Sequence, residues 1–182
     1  MEAVGDMNRF TQFRTAQAIG DLPKAGGDSM AAAGMGMGAG VAADTNIVFG
    51  FSQSWRFSTN NLETVPWQAV DHDDSAWDSG TGVFYITSAA LPAPKGTLLP
   101  ADASSLPHPT YYFRTRFVVT NTSALSLVIF SNLIDDGAVF YLNGTELKRV
   151  GMPPWPVVYG TAASRPVGNA TGFDVFSLSG PD

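Results

Sequence analysis

Two strand-like runs, Ala138-Val139-Phe140-Tyr141-Leu142 and Thr145-Glu146-Leu147-Lys148-Arg149-Val150, are separated by only two residues, Asn143-Gly144. Both of those residues tolerate positive φ, which a type I′ turn demands at its two central positions, so the segment predicts a tight β-hairpin. Residues 110–120 carry a second constraint. Tyr111, Phe113, Thr115, Phe117 and Val119 fall on one face of an extended chain there, and Tyr112, Arg114, Arg116 and Val118 on the other. That period of two marks a strand with one buried and one wetter side. Residues 125–134 predict another strong strand, residues 46–51 a first one, residues 54–57 its continuation, and residues 173–178 a last one. Residues 58–109 read mostly as loop, with a short apolar piece at Val83-Phe84-Tyr85-Ile86. About seven strands, long loops and no convincing helix between them predict an all-β domain, an antiparallel sandwich, from residue 44 onward.

The N-terminal quarter has a different character. Residues 3–22 are rich in Ala, Gln, Arg and Met, and Met7, Phe10, Phe13, Ala16 and Ile19 recur at spacings of three, which predicts a short helix within a tail at 1–24. A spacing of three drifts by roughly 60° per step around a helix of 3.6 residues per turn, so its apolar stripe winds and such a helix needs a partner. Residues 25–43 follow as a Gly-, Ala- and Met-rich tract in which neither a helical stripe nor alternation survives, and a flexible linker is the expectation. Methionines in such a tract also make an adaptable, sticky surface.

Composition narrows the function. Of 182 residues, 45% are hydrophobic and 12% aromatic, enough for a core, but only 14% are charged. The net charge is −6, and the ten basic residues are scattered, so nucleic acid is not an expected partner. Cysteine is absent, which excludes disulfides and cysteine-ligated metals. No apolar run reaches the ~18 residues of a membrane-spanning helix. No basic stretch followed by an apolar core opens the chain, so a secretory signal is not expected within it.

The string Asp135-Asp136-Gly137-Ala138-Val139-Phe140-Tyr141-Leu142-Asn143-Gly144-Thr145-Glu146-Leu147, with Arg149 and Met152-Pro153 after it, resembles galactose-binding-like jelly-roll modules of exported bacterial proteins and of some glycoside hydrolases. Trp67-Gln68-Ala69 before Asp73-Asp74-Ser75-Ala76-Trp77, and Tyr111-Tyr112-Phe113-Arg114, match the same modules in order, so the resemblance spans residues 44–178. It implies a jelly-roll β-sandwich that commonly binds carbohydrate or supports a neighbouring domain. In such modules a further strand opened by a Gly-x-Asn turn usually follows, which implies a sandwich truncated at its C-terminus. Separately, Val4-Gly5-Asp6-Met7-Asn8-Arg9-Phe10-Thr11-Gln12-Phe13 and the later Met-Gly tract resemble the C-terminal tail of bacterial SPFH (stomatin/prohibitin-like) proteins. There the tail follows a membrane-associated, oligomerising core.

Candidate site residues fall in three places. Asp71, Asp73 and Asp74, with His72 among them, form the densest set of oxygen donors. They fit either a turn that delivers Trp77 into the core or a calcium loop, and the turn is the heavier reading. Asp135-Asp136 are adjacent on the chain, so on a strand they point to opposite faces and do not flank a sugar as a glycosidase pair would. Trp155 lies among Pro153, Pro154 and Pro156, with Tyr159 close by. A flat ring on a proline-stiffened loop suits sugar stacking, and it equally suits a lid over the open end of the sandwich. Arg149 and Asn143 could add polar contacts beside it. No motif for an activated nucleophile, a zinc protease or a phosphate loop is present, and His108 sits between prolines without a partner in sequence.

Two functions follow as expectations. The leading one is a non-catalytic carbohydrate-binding accessory module, without a cofactor other than calcium, in a larger extracellular or envelope protein. The other is a structural or assembly module whose helical Met-Gly tail mediates self-association at a membrane scaffold on the cytoplasmic side. A hydrolase is the least favoured class.

Overall fold

The computed structural model describes the backbone of residues 16–19, 45–46 and 179 and all of residues 48–86, 88–117 and 127–178. Among the described residues the chain is all-β, with no helix. In chain order the strands are β1 (Ala16–Ile19), β2 (Thr45–Asn46), β3 (Ser54–Ser58), β4 (Asp78–Thr81), β5 (Phe84–Tyr85), β6 (Thr97–Leu98), β7 (Tyr112–Arg114), β8 (Leu127–Asn132), β9 (Ala138–Leu142), β10 (Thr145–Val150) and β11 (Asp174–Ser179). They form small sheets: four strands in the order β11-β8-β1-β2, three in the order β4-β3-β7, and the pairs β9-β10 and β5-β6. All pairings are antiparallel except β5 with β6, which is parallel. No helix of the described residues is long and apolar enough to cross a membrane.

The predicted hairpin is present. Leu142 pairs with Thr145 across Asn143 and Gly144, whose φ angles are 50° and 84°. Between Glu146 and Lys148 the register shifts by one residue, and Leu147 in that bulge packs on the cluster of Ile134, Ala138 and Phe140. Phe176 joins this hairpin to the four-stranded sheet. It lies opposite Phe130 with the rings stacked at 4.7 Å, and edge-on to Phe140 at 5.0 Å. A second cluster gathers Phe57, Phe84, Leu99, Tyr111 and Phe113, where Phe57 and Phe113 are also cross-strand partners. Its Tyr111 hydroxyl donates to Pro100 O at 2.6 Å and accepts from His108 N at 3.1 Å, and burial pushes the phenol up to about 12. Val83, Leu133 and Ala170 form a third cluster.

Several expectations need correction. Ala16–Ile19, inside the expected helix at 3–22, is instead the strand β1, which pairs with β8 from Ala16↔Phe130 to Ile19↔Leu127. The winding stripe offers a helix no broad apolar face, whereas an extended segment pairs along its length with β8 and, at Ala18 and Ile19, with β2. The rest of that helix and the linker at 25–43 lie outside the described residues. Of the expected strand at 46–51, Asn46 belongs to β2, residue 47 lies outside the described residues, and residues 48–51 are not a strand: the chain turns at Gly50, whose carbonyl accepts from Gln53 N at 3.0 Å. Of residues 110–120, those from 118 on lie outside the described residues, and among 110–117 Tyr112–Arg114 belong to a ladder.

The alternation of that segment nevertheless holds. Tyr111 and Phe113 enter the core, while Arg114 and Arg116 both reach Asp74, at 2.9 and 3.2 Å. Arg114 also donates to the carbonyl of Trp67. Its side chain is 12% exposed and that of Asp74 is 8%, so this ion pair is buried, whereas Arg116 is largely in solvent. Asp135 and Asp136 shape the turn before β9: Asp136 is 2% exposed and accepts from Val167 N at 2.7 Å. Burial, reinforced by Asp136, pushes the Asp135 carboxyl up.

Burial alone would raise the Asp74 carboxyl, but hydrogen bonds from Arg114 and Arg116, with their charges, outweigh it and hold it below the usual range. A depressed folded pKa contributes stability that is full above the unfolded value, about 3.9, and is lost as pH falls through the folded value. Urea unfolding from pH 7 to 2 should therefore lose stability below about pH 4, and Asp74→Asn should remove that part of the acid sensitivity. At neutral pH the same variant leaves Arg114 buried without its partner and should cost roughly 3 kcal/mol. In the hairpin, Gly144→Ala should cost about 1 kcal/mol through its positive φ, since an added Cβ meets nothing closer than 3.6 Å.

Candidate functional site

One wall of the site is the loop between β3 and β4. Successive turns carry it, with Val65 N donating to Leu62 O at 3.0 Å, Trp67 N to Val65 O at 2.8 Å and Ala69 N to Pro66 O at 3.0 Å. Arg114 anchors the carbonyl of Trp67, so the indole stands over the outer face of β7. There it meets Tyr112 edge-on, with ring centroids 4.9 Å apart.

The opposite wall is the segment after β10. Arg149 closes it like a staple. Its Nε and one terminal nitrogen hold both oxygens of Glu146, at 2.6 and 2.9 Å, and the other nitrogen donates to the carbonyls of Pro153 and Trp155, at 2.7 and 2.6 Å. The segment then docks through Tyr159. The Tyr159 N–H donates to Glu63 Oε1 at 2.6 Å, its hydroxyl donates to Thr59 O at 2.8 Å, and its carbonyl accepts from the Thr110 hydroxyl at 2.6 Å. The first two bonds join the two loops directly, and the third ties the segment to the chain just before β7.

Between the walls lies a cleft of about 250 Å³. Its aromatic lining includes Trp67, Tyr112, Tyr141 and Tyr159, alongside Tyr111 and Phe113 of the core cluster, and Glu63 and Gln68 are among its polar groups. Trp67 stands edge-on to Tyr141 at 5.3 Å, and the Tyr112 and Tyr159 rings lie within 13° of parallel at 6.4 Å. The floor is apolar, with Leu62, Val65 and Val139 among its residues. Strand alternation supplies part of this surface: Ala138 and Phe140 of β9 face the core, while Val139 and Tyr141 face the cleft. Burial pushes the phenols of Tyr112, Tyr141 and Tyr159 up, with the charge of Glu63 adding at Tyr112 and that of Glu146 at Tyr141. The hydroxyls therefore stay protonated at neutral pH. A cleft of this kind offers flat apolar faces flanked by hydroxyl, amide and carboxylate groups.

The residues expected from sequence are placed unevenly. Tyr159 lines the cleft. Trp155 is 62% exposed, outside the lining, on the loop that Arg149 staples. Arg149 itself is engaged with Glu146 and two carbonyls, and Asn143 occupies the exposed hairpin turn. Asp71 is exposed, Asp73 accepts from Ser75 N at 2.9 Å in a turn, and both Asp74 oxygens face arginines. The turn leads to Trp77, which is half-buried against His72 at 5.6 Å. Among the described residues no group of three or more His, Cys, Asp or Glu is arranged to hold a metal ion. Glu63, Trp67, Gln68, Tyr112 and Tyr141 were not expected at the site. Alternation opposite Tyr111, Phe113 and Phe140 was the available signal for Tyr112 and Tyr141.

Arg149→Ala should release the 153–159 segment, raising amide hydrogen exchange there while the β9–β10 ladder stays protected. Arg149→Lys should behave similarly, because a lysine cannot span a carboxylate and two carbonyls with one planar fork.

Compared with known proteins, this chain matches no family model, no curated protein and no solved structure.

Proposed function

We propose that this chain is a non-catalytic carbohydrate-binding module, part of a larger extracellular or envelope protein, built on a jelly-roll sandwich of the galactose-binding-like type. One observation carries the reading: Trp67, Tyr112, Tyr141 and Tyr159 line one cleft between clipped loops together with Glu63 and Gln68. Sugar rings present apolar C–H faces and a rim of hydroxyls. Trp67 and the tyrosines match the faces, while Gln68, Glu63 and the neutral phenols match the rim. Trp155, exposed on the stapled loop outside the cleft, supplies a further ring that a polymer longer than one residue could use.

Binding should be weak and aromatic-dependent. On a glycan array followed by titration of the best sugar, Tyr141→Ala should weaken affinity by roughly tenfold, or about 1.4 kcal/mol. Trp155→Ala should weaken binding of a longer oligosaccharide by a similar factor and affect a monosaccharide less. Both variants are checked by their unfolding curves. Unchanged affinity in both removes the site. A folded chain that binds no glycan favours the assembly-module reading instead.

A further inference from the structure

The cleft has a polarity that a neutral sugar would leave unused. Among the described residues that line it, Glu63 is the one charged side chain, and no lysine or arginine joins it. One Glu63 oxygen accepts from Tyr159 N, and the other accepts from no described residue. Two guanidiniums flank the lining, and both are neutralised: Arg149, beside Tyr141, by both oxygens of Glu146, and Arg114, on the carbonyl of Trp67, by Asp74. The same cleft is lined by the rings of Trp67, Tyr112, Tyr141 and Tyr159, and the quadrupole of an aromatic face attracts a cation. The chain as a whole carries a net charge of −6, which favours approach of a polycation and disfavours a uronic or sulfated polymer.

We propose that the cleft is selective for a sugar bearing a free protonated amine, the repeating unit of a deacetylated amino-sugar polymer, with Glu63 as the partner of its ammonium. The selectivity rests on the carbohydrate reading above. Acetylation of the amine removes its charge and adds bulk, so the acetylated sugar forfeits both the ion pair and the cation–π contacts. A charge-assisted hydrogen bond of this kind corresponds to a preference of at least about tenfold.

The test titrates the full chain with three tetrasaccharides: of glucosamine, of N-acetylglucosamine and of β-linked glucose. The expected order places the glucosamine oligomer at least tenfold ahead of the other two, with an advantage that shrinks as salt is added. Glu63→Gln preserves an acceptor for Tyr159 N and should bring the amine-to-acetyl affinity ratio close to one. Equal affinity for all three sugars in the unaltered chain overturns the selectivity and leaves the carbohydrate reading standing. A preference that persists in Glu63→Gln overturns the role of Glu63. Absence of binding by all three overturns the carbohydrate reading and the selectivity together.

Discussion

Arg114 projects from the wetter face of β7 towards a stretch of chain that has no ladder of its own, and it makes two attachments there. Its guanidinium takes the Asp74 carboxylate and the carbonyl of Trp67. A buried ion pair gains little over an apolar packing of the same shape, because desolvating both charges costs nearly as much as their attraction returns. Its value here is positional. A planar fork can bond a carboxylate and a carbonyl only in one relative placement, so the loop between β3 and β4 is set in register with β7. Trp67 stands over Tyr112 as a result, and Glu63 comes within reach of Tyr159.

The cleft shows how short strands serve two surfaces at once. In β7 and β9, consecutive side chains alternate between the core and the cleft, so each residue that fills one is next to a residue that shapes the other. The remaining walls are loops, and each is held by side chains bonding backbone groups: Arg114 to Trp67 O, Arg149 to Pro153 O and Trp155 O, Tyr159 to Thr59 O. Such bonds satisfy carbonyls that no strand neighbour reaches. They also keep the aromatic rings fixed before a ligand arrives, which lowers the entropy lost on binding.

Period-two patterning and the Asn143-Gly144 pair were enough to read the all-β class, the hairpin and the two faces of residues 110–117 from the sequence. Strand lengths were not legible, because backbone pairing ends where a turn such as Gly50 or an unpaired neighbour intervenes, and residue type alone does not report that. β1 was misread because Ala16–Ile19 has no strong preference, and its place between β8 and β2 depends on residues more than 100 positions away. At the site, Tyr159 was anticipated from the proline-held loop, but Trp67 and Glu63 were not. Their position depends on Arg114 and Tyr159, and no local spacing encodes a contact between loops 96 residues apart. Trp155, the most conspicuous aromatic in the sequence, lies beyond the cleft because Arg149 bonds its carbonyl and leaves its ring outward.

That separation along the chain also bears on how the molecule comes to be made. Glu63 and Thr59 leave the ribosome nearly 100 residues before Tyr159 does. At translation speeds of about 5–20 residues per second, this is roughly 5–20 seconds. Throughout that interval Trp67, Tyr112 and Tyr141 emerge one after another without the segment that closes over them. The ring-rich surface that suits the finished protein to a ligand is, in the nascent chain, an adhesive patch open to any other unfolded polypeptide. Yield of the folded protein should thus depend on what shields those rings during synthesis more than on the depth of the native well.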